Sequence, residues 1–370
     1  MNKIIPIVFA INNDYVKQLS TVIVSILLNS KSDVFFEFNI LSGDLAEENK
    51  NKIAELVKYS KNIKFNFIDM NAYTSEAELE KYMSRRQNYN HISAETYYRF
   101  YIPEIFLNYK KVIYLDADLI LNDDISILFN ENIEDYYAGV VHDVVFESFL
   151  HSKDSKTDQY KDISVRDYYL NKLKGTDFNY FNAGVLLLNL DKIRQDNIVD
   201  KLWDFVAKES PLEYQDQDAL NAIIGKNVKY IDYKWNVLKE KFFYAKNKNK
   251  KLRKHLKYVY SHPSIFHYVG ADKPWCLVDN KPYNYGHIDL WWKYYKLTSL
   301  YNAEDNEILQ NIMWIKMFYN RFNFIAFEIL NFRIFSIFIE NNRLNISILG
   351  FLKLRIRLKK SITKYSINNN

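Results

Sequence analysis

The sequence predicts an α/β fold built on a doubly wound, mainly parallel sheet, followed by a helical, basic C-terminal appendage. Three observations lead there. Between Ile4 and Ile68, apolar runs of strand length alternate with segments whose apolar residues recur at helical spacing. The chain has 370 residues, 48% of them hydrophobic and 16% aromatic, enough for one large domain and a smaller one. Two carboxylates, Asp116 and Asp118, sit at the end of an apolar run, and sheets of this class bind ligands beyond the carboxyl ends of their strands.

Ile4 to Ala10 reads as the first strand. Val16, Leu19, Val22, Ile23, Ile26 and Leu27 then mark a helix over Tyr15 to Leu28. Phe35 to Leu41 is a second strand. Ile53, Leu56 and Val57 put one apolar face on a helix from Glu47 to Tyr59, and Ile63 to Ile68 is a third strand. Ile92 to Phe106 is expected to be helical, with Tyr97, Phe100, Tyr101 and Ile105 inward. Lys111 to Tyr114 and Val185 to Leu190 read as strands, and Ile198 to Val206 as a helix. No glycine-rich phosphate fingerprint follows the first strand, which argues against a dinucleotide site or a P-loop.

Leu115-Asp116-Ala117-Asp118 is the most informative segment. Two carboxylates two residues apart in an apolar stretch are costly to bury unless a cation neutralises them. Oxygen ligands of this kind suit Mg²⁺ or Mn²⁺, and the metal in turn could hold a diphosphate. The alternative is a strand end breaking into a turn, with Asp118 or Asp123 capping the next element.

The net charge of +5 is unevenly placed. Asn341 to Asn370 holds seven basic residues and no acidic one, so the rest of the chain carries −2. The body is therefore no nucleic-acid surface by charge, and the tail is a local basic device suited to anionic lipid. One cysteine, Cys276, fits a reducing cytoplasm. Met1 to Ala10 lacks the length of a signal-peptide core. No uncharged apolar run is long enough to span a membrane. Phe322 to Ile339, interrupted by Glu328 and Arg333, is expected to be an amphipathic or packed helix, while Leu352 to Lys360 alternates with period two and favours a strand. Positions 322–364 are the candidate for peripheral contact with the inner face of the plasma membrane. The basic stretch Lys246 to Lys257 reads as a solvated loop, or as a mobile flap near an anionic substrate. The domain boundary is expected near position 280, giving 1–280 and 281–370.

Further segments set polar side chains among apolar or aromatic ones. In Phe181-Asn182-Ala183-Gly184-Val185, Asn182 is placed to meet a sugar hydroxyl and Gly184 to let backbone approach a ligand. Tyr214-Gln215-Asp216-Gln217-Asp218 opens a helix, where ordinary capping by Asp216 or Asp218 is the simpler reading. In Phe266-His267-Tyr268-Val269-Gly270, His267 is a candidate third metal ligand, with a packed histidine as the alternative. A mixed oxygen and imidazole set favours Mn²⁺ over Mg²⁺. Lys273 is placed to meet a diphosphate as a point charge.

Taken together, these segments resemble glycosyltransferase family 8, the retaining family that includes bacterial lipooligosaccharide galactosyltransferases and glycogenin. The resemblance runs from about Ile4 to Trp275. It is carried by Val8-Phe9-Ala10 with Tyr15, His91-Ile92-Ser93 through Arg99, Tyr114 to Asp118, Phe181 to Val185, Tyr214 to Asp218, and His267-Tyr268 with Gly270 and Lys273-Pro274-Trp275. It implies a GT-A fold, a UDP-glucose or UDP-galactose donor and a metal on Asp116, Asp118 and His267. It implies a uridine pocket of Ala10, Asn12, Asp14 and Tyr15, the last stacking on uracil. Ala117, Gly270 and Lys273 would meet the nucleotide and its diphosphate. Arg99, Asp143, Asn182, Ala183, Asp216 and Gln217 would hold the donor sugar; Asp143 is matched by spacing alone. The chain departs from the pattern at two places: Asn12 stands where an Asp is usual, and Asp14 where an Asn is usual.

The residue expected on the far face of the sugar is an amide, Gln217, a poor nucleophile. Front-side attack by the acceptor hydroxyl is therefore the expected route to retention, with Asp216 the rival nucleophile. The acceptor is expected to be a glycan or lipid-linked, as in lipopolysaccharide biosynthesis, with a protein acceptor as the alternative. Two rival classes are a different metal and nucleotide enzyme and a non-catalytic module with a degenerate site. The first leaves the Asn-Ala-Gly and His-Tyr-x-Gly segments without a purpose, and the second conflicts with three intact metal ligands.

Overall fold

The computed structural model describes residues 3–31, 33–82, 93–152, 155–158, 160, 162–238, 250–270, 273–275, 287–306 and 308–309, and the strands within 325–357. The chain divides into two compact units. One comprises Met1–Pro274 with Tyr285–Tyr301, the other Trp275–Asn284 with Asn302–Asn370. Helix Ile288–Tyr295, beyond the expected boundary near position 280, thus belongs to the first unit.

The first unit is built on a seven-stranded sheet. Strands β1 (Lys3–Ala10), β2 (Val34–Ser42), β3 (Ile63–Asp69) and β4 (Lys111–Leu115) run parallel. Strand β7 (Phe181–Asn189) is antiparallel to both β4 and β6 (Ala138–His142), and β8 (Val228–Tyr230) is parallel to β6. Their order across the sheet is β3-β2-β1-β4-β7-β6-β8. The mainly parallel, doubly wound arrangement is the expected one, and the single reversed strand sets the site. Because β7 runs backwards, its first residues meet the last residues of β4 and β6, with Leu115 opposite Val185 and His142 opposite Phe181. Ala10, the Asp pair, Asp143 and the Asn182 segment therefore crown one edge of the sheet.

Apolar runs buried on both faces explain the inner strands: Ile5, Ile7, Val8 and Phe9 in β1, and Val185 and Leu187 in β7, are fully or almost fully buried. The helix after β1 spans Val16–Asn29 and buries Leu19, Val22, Ile23 and Ile26. Glu47–Ala54 is α-helical and continues as a 3₁₀ turn, Glu55–Tyr59. The segment expected as one helix up to Phe106 is 3₁₀ over Ala94–Tyr101 and α over Ile102–Ile105, with Tyr97 and Phe100 inward and Tyr101 and Ile105 half-buried. Residues 83–92, with His91, lie outside the described residues.

A second sheet joins β5 (Leu119–Leu121), β9 (Val237–Leu238) and β10 (Ile265–His267) in the order β5-β10-β9. Strand β10 pairs antiparallel with β5, so His267 lies opposite Leu119, beside Asp118. The basic stretch expected as a loop or flap is helical where it is described. Lys250–Ser261 is a helix whose Leu256, Val259 and Tyr260 are buried, and that apolar spacing is what holds it helical.

The second unit contains an antiparallel sheet of β11 (Ile325–Ile329), β12 (Phe332–Glu340), β13 (Arg343–Ile348) and β14 (Leu352–Arg357). The expected strand from Leu352 is present. The helix expected over Phe322 to Ile339 is not: its described residues are β11 and β12. The segment is dense in β-branched and aromatic residues, Ile334, Phe335, Ile337, Phe338 and Ile339, which favour strand over helix. Register puts Leu344, Ile346 and Ile348 opposite Ile356, Leu354 and Leu352, and Arg343, Asn345 and Ser347 opposite Arg357, Arg355 and Lys353. Among the described residues no helix is long and apolar enough to cross a membrane.

The aromatic row Phe36, Phe38 and Phe65, with ring centroids 5.7 and 5.6 Å apart, closes one face of β2 and β3. Phe38 is fully buried. Phe38→Ala is expected to destabilise the first unit by about 3–5 kcal/mol, measured from denaturant midpoints.

Candidate active site

A cavity of about 450 Å³ opens at the carboxyl edge of the large sheet. The loop after β1 contributes Ala10, Asn12 and Tyr15, and the strand end after β4 contributes Asp116, Ala117 and Asp118. Asp143, Asn182 and Ala183 line it from the ends of β6 and β7, and Asp216 and Gln217 from the helix Gln215–Ile224. Arg99, His267, Gly270 and Lys273 complete the set expected from the sequence. Asp14 is exposed and is not among the lining residues.

Asp116, Asp118 and His267 offer three ligand atoms that lie within 4.8 Å of one another. His267 Nε2 is 2.9 Å from Asp118 Oδ1 and 3.7 Å from Asp116 Oδ2. Gly184 makes this possible. A Cβ built there would stand 2.2 Å from His267 Cε1 and 2.8 Å from Asp116 Oδ2. The Gly184 carbonyl also accepts the Asp116 N–H at 2.9 Å, extending the β4–β7 pairing by one residue.

A chain of buried amides sets the imidazole. The Gly184 N–H, an unambiguous donor, reaches Asn182 Oδ1 at 3.0 Å. The same oxygen accepts from Asn236 Nδ2 at 2.8 Å, which turns Asn236 Oδ1 toward His267 Nδ1 at 3.0 Å. Nδ1 must therefore carry a proton, and Nε2 faces Asp118 Oδ1. At 2.9 Å, a proton or a metal ion must lie between Nε2 and that oxygen. Two carboxylates and an imidazole so placed fit a divalent cation.

The remaining charges are paired. Lys273 Nζ donates to Asp118 Oδ2 and, at 2.8 Å, to the Tyr268 carbonyl. Burial raises Asp118, but Lys273 and His267 outweigh it and hold the carboxyl well below the ordinary range. Arg99 is fully enclosed. Its guanidinium meets Asp116 Oδ1 and Asp216 Oδ2, each at 3.0 Å, and the Ala183 carbonyl at 2.7 Å, and lies 4.3 Å over the Tyr114 ring. Asp216 also accepts from the Thr96 hydroxyl; burial raises its carboxyl and Arg99 opposes the rise. Asp143 caps the helix Val144–Leu150 through the N–H groups of Val145 and Phe146, and burial raises it. Gln217 is held at both ends: Oε1 accepts the Ala183 N–H at 3.0 Å, and Nε2 reaches Asp143 and the Tyr180 hydroxyl at 3.4 and 3.3 Å.

Simple capping explains little here. The cap on helix Ile125–Phe129 is Asp124, neither Asp118 nor Asp123. Asp218 does accept the Tyr214 N–H at 2.7 Å, and it also takes the hydroxyls of Tyr168 and Tyr180 at 2.7 and 2.6 Å. Asn236 and Thr96 were missed by sequence reasoning. Neither carries a spacing signal, because each acts on a residue far away in the chain.

Gly184→Ala is expected to weaken divalent-cation binding about 10–100-fold in a titration, with the circular dichroism of the fold unchanged. Burial pushes the Asp218 carboxyl up to about 6 from an ordinary 3.8. The neutral form stabilises the fold fully below about pH 4, and that contribution is lost as pH rises through about 6. Asp218→Asn should therefore gain stability relative to the parent chain between those limits, read as the difference in denaturant midpoint.

The family model described as glycosyl transferase family 8 matches residues 6–278. General stress protein A of Bacillus subtilis (strain 168) is 27% identical over 289 residues, covering 76% of this chain and 91% of that protein. A lipopolysaccharide 1,2-glucosyltransferase of Escherichia coli is 27% identical over 277 residues, covering 72% of each. The crystal structure of the galactosyltransferase LgtC with donor and acceptor sugar analogues superposes with a TM-score of 0.64 at 23% identity, covering 82% of this chain and all of that one. That likeness places the sheet in the GT-A fold. With most of its length matched by the family model, this chain belongs to glycosyltransferase family 8, and it is a glycosyltransferase.

Proposed function

We propose that this chain moves glucose or galactose from a UDP-sugar to a glycan or lipid-linked acceptor, with retention at the anomeric carbon. The observation that carries the reading is the Asp116, Asp118 and His267 cluster, with the imidazole Nε2 facing a carboxylate, inside a cavity lined by Lys273 and Tyr15. Mn²⁺, or Mg²⁺, is the proposed ion; when bound it supplies Lewis-acid stabilisation to a diphosphate leaving group. Asp116, Asp118 and His267 would hold it.

The chain's own residues would do the rest. Lys273, now on Asp118, supplies a cation to the diphosphate as negative charge develops there. Tyr15 and Ala10 offer the base a stacking face, Gly270 and Ala117 offer backbone, and Arg99, Asp143 and Asn182 orient the sugar. Front-side attack is favoured because Gln217 is an amide engaged at both ends, and because Asp216 accepts the Thr96 hydroxyl on Oδ1 and is ion-paired with Arg99. A carboxylate neutralised in this way is a weakened nucleophile.

The printed name of the Escherichia coli relative supports a cell-surface glycan as acceptor. The alternation of Lys353, Arg355 and Arg357 with Leu352, Leu354 and Ile356 supports peripheral contact with anionic lipid within 322–364. With one cysteine in the chain, the proposed place is the cytoplasmic face of the plasma membrane.

UDP release from UDP-glucose and from UDP-galactose, with Mn²⁺ and then with EDTA, tests the reading. Release is expected with one of the two donors, is abolished by EDTA and falls about 100-fold or more in Asp118→Asn. Absence of metal-dependent release with every UDP-sugar would sink it.

A further inference from the structure

Asn12, in the proposed uridine pocket, has a side-chain oxygen that awaits a donor. The loop that carries it is fixed on both sides. The Ile11 N–H reaches the Leu41 carbonyl at 3.0 Å, and the Tyr15 N–H reaches the Asn12 carbonyl at 3.1 Å. Asn13 is engaged elsewhere, its N–H on both Asp44 oxygens and its Oδ1 accepting from the Ala46 N–H and Asn49 Nδ2. Asn12 lines the cavity, and its Oδ1 is out of solvent with no hydrogen-bond partner. A buried amide oxygen without a donor is costly, so a ligand that brings a donor is favoured there.

An amide carries an acceptor and a donor side by side, and a half-turn about its Cβ–Cγ bond exchanges them. Uracil offers N3–H beside a carbonyl; cytosine offers a bare N3 beside an amino group. Each is a donor and acceptor pair, and the Asn12 amide matches either by choosing its rotamer. A carboxylate at this position accepts from the uracil N3–H but confronts the cytosine N3 lone pair.

We infer that Asn12 reads the pairing edge of the pyrimidine and admits cytidine as well as uridine nucleotides. The inference rests on the nucleotide-sugar reading above and concerns the base alone.

Calorimetric titration of the full chain with UDP and with CDP, each with Mn²⁺, tests it. The parent chain is expected to bind both with Kd values within about tenfold. Asn12→Asp should raise the preference for UDP over CDP by about tenfold or more while retaining UDP. Asn12→Ala should weaken both and leave their ratio within tenfold. A parent preference beyond about tenfold for UDP, or an unchanged ratio in Asn12→Asp, overturns the inference and leaves the UDP-sugar reading standing. Failure of the parent chain to bind either nucleotide overturns both.

Discussion

The site depends on a close approach across Gly184. The imidazole of His267 can lie beside Asp116 only because no side chain stands between them; a methyl group there would overlap the ring at 2.2 Å. The same residue bonds through its carbonyl to the Asp116 N–H and through its own N–H to Asn182. One glycine thus anchors the first carboxylate, admits the imidazole and starts the amide chain that chooses its tautomer. Strand β7 must run antiparallel to β4 for this residue to fall at the carboxyl edge.

Burying so many ionisable groups in one crown is stable only because each carboxylate has a cation or a set of donors. Asp116 and Asp216 share Arg99, and Asp118 has Lys273. Asp143 has two backbone N–H groups and Asn182. Removing one member would leave a charge without compensation in a poorly solvated place. In the proposed function, the lysine on Asp118 and the arginine on Asp116 would be available to the diphosphate and the sugar if a metal ion held the carboxylates.

Much of this was legible in the sequence. The parallel half of the sheet follows from apolar alternation, and the residues at strand ends identified most of the cavity wall, because polar residues beyond buried strands have few other uses. Arg99 and Gln217 came from the family resemblance, Asn182 and Lys273 from their own segments, and all line the cavity. Asp14 does not line it, and the two preceding asparagines divide the work: Asn13 braces the loop after β2 while Asn12 lines the cavity. The Phe322 to Ile339 segment misled because two interrupting charges looked like the polar face of a helix, whereas the β-branched and aromatic run from Ile334 to Ile339 suits a strand.

By itself the sequence determined the elements, the fold class and the residue types of the metal cluster, since hydrophobic period and ligand chemistry are local properties. Tertiary structure alone decided what each polar atom faces. The pairing of β10 with β5 carried His267 to Asp118 across 149 residues, and the turn before β9 delivered Asn236 to the imidazole. Such contacts leave no periodic trace in the chain. They arise only when the reversed strand and the small second sheet close over one edge, and a buried polar atom must then take whichever partner the packing presents.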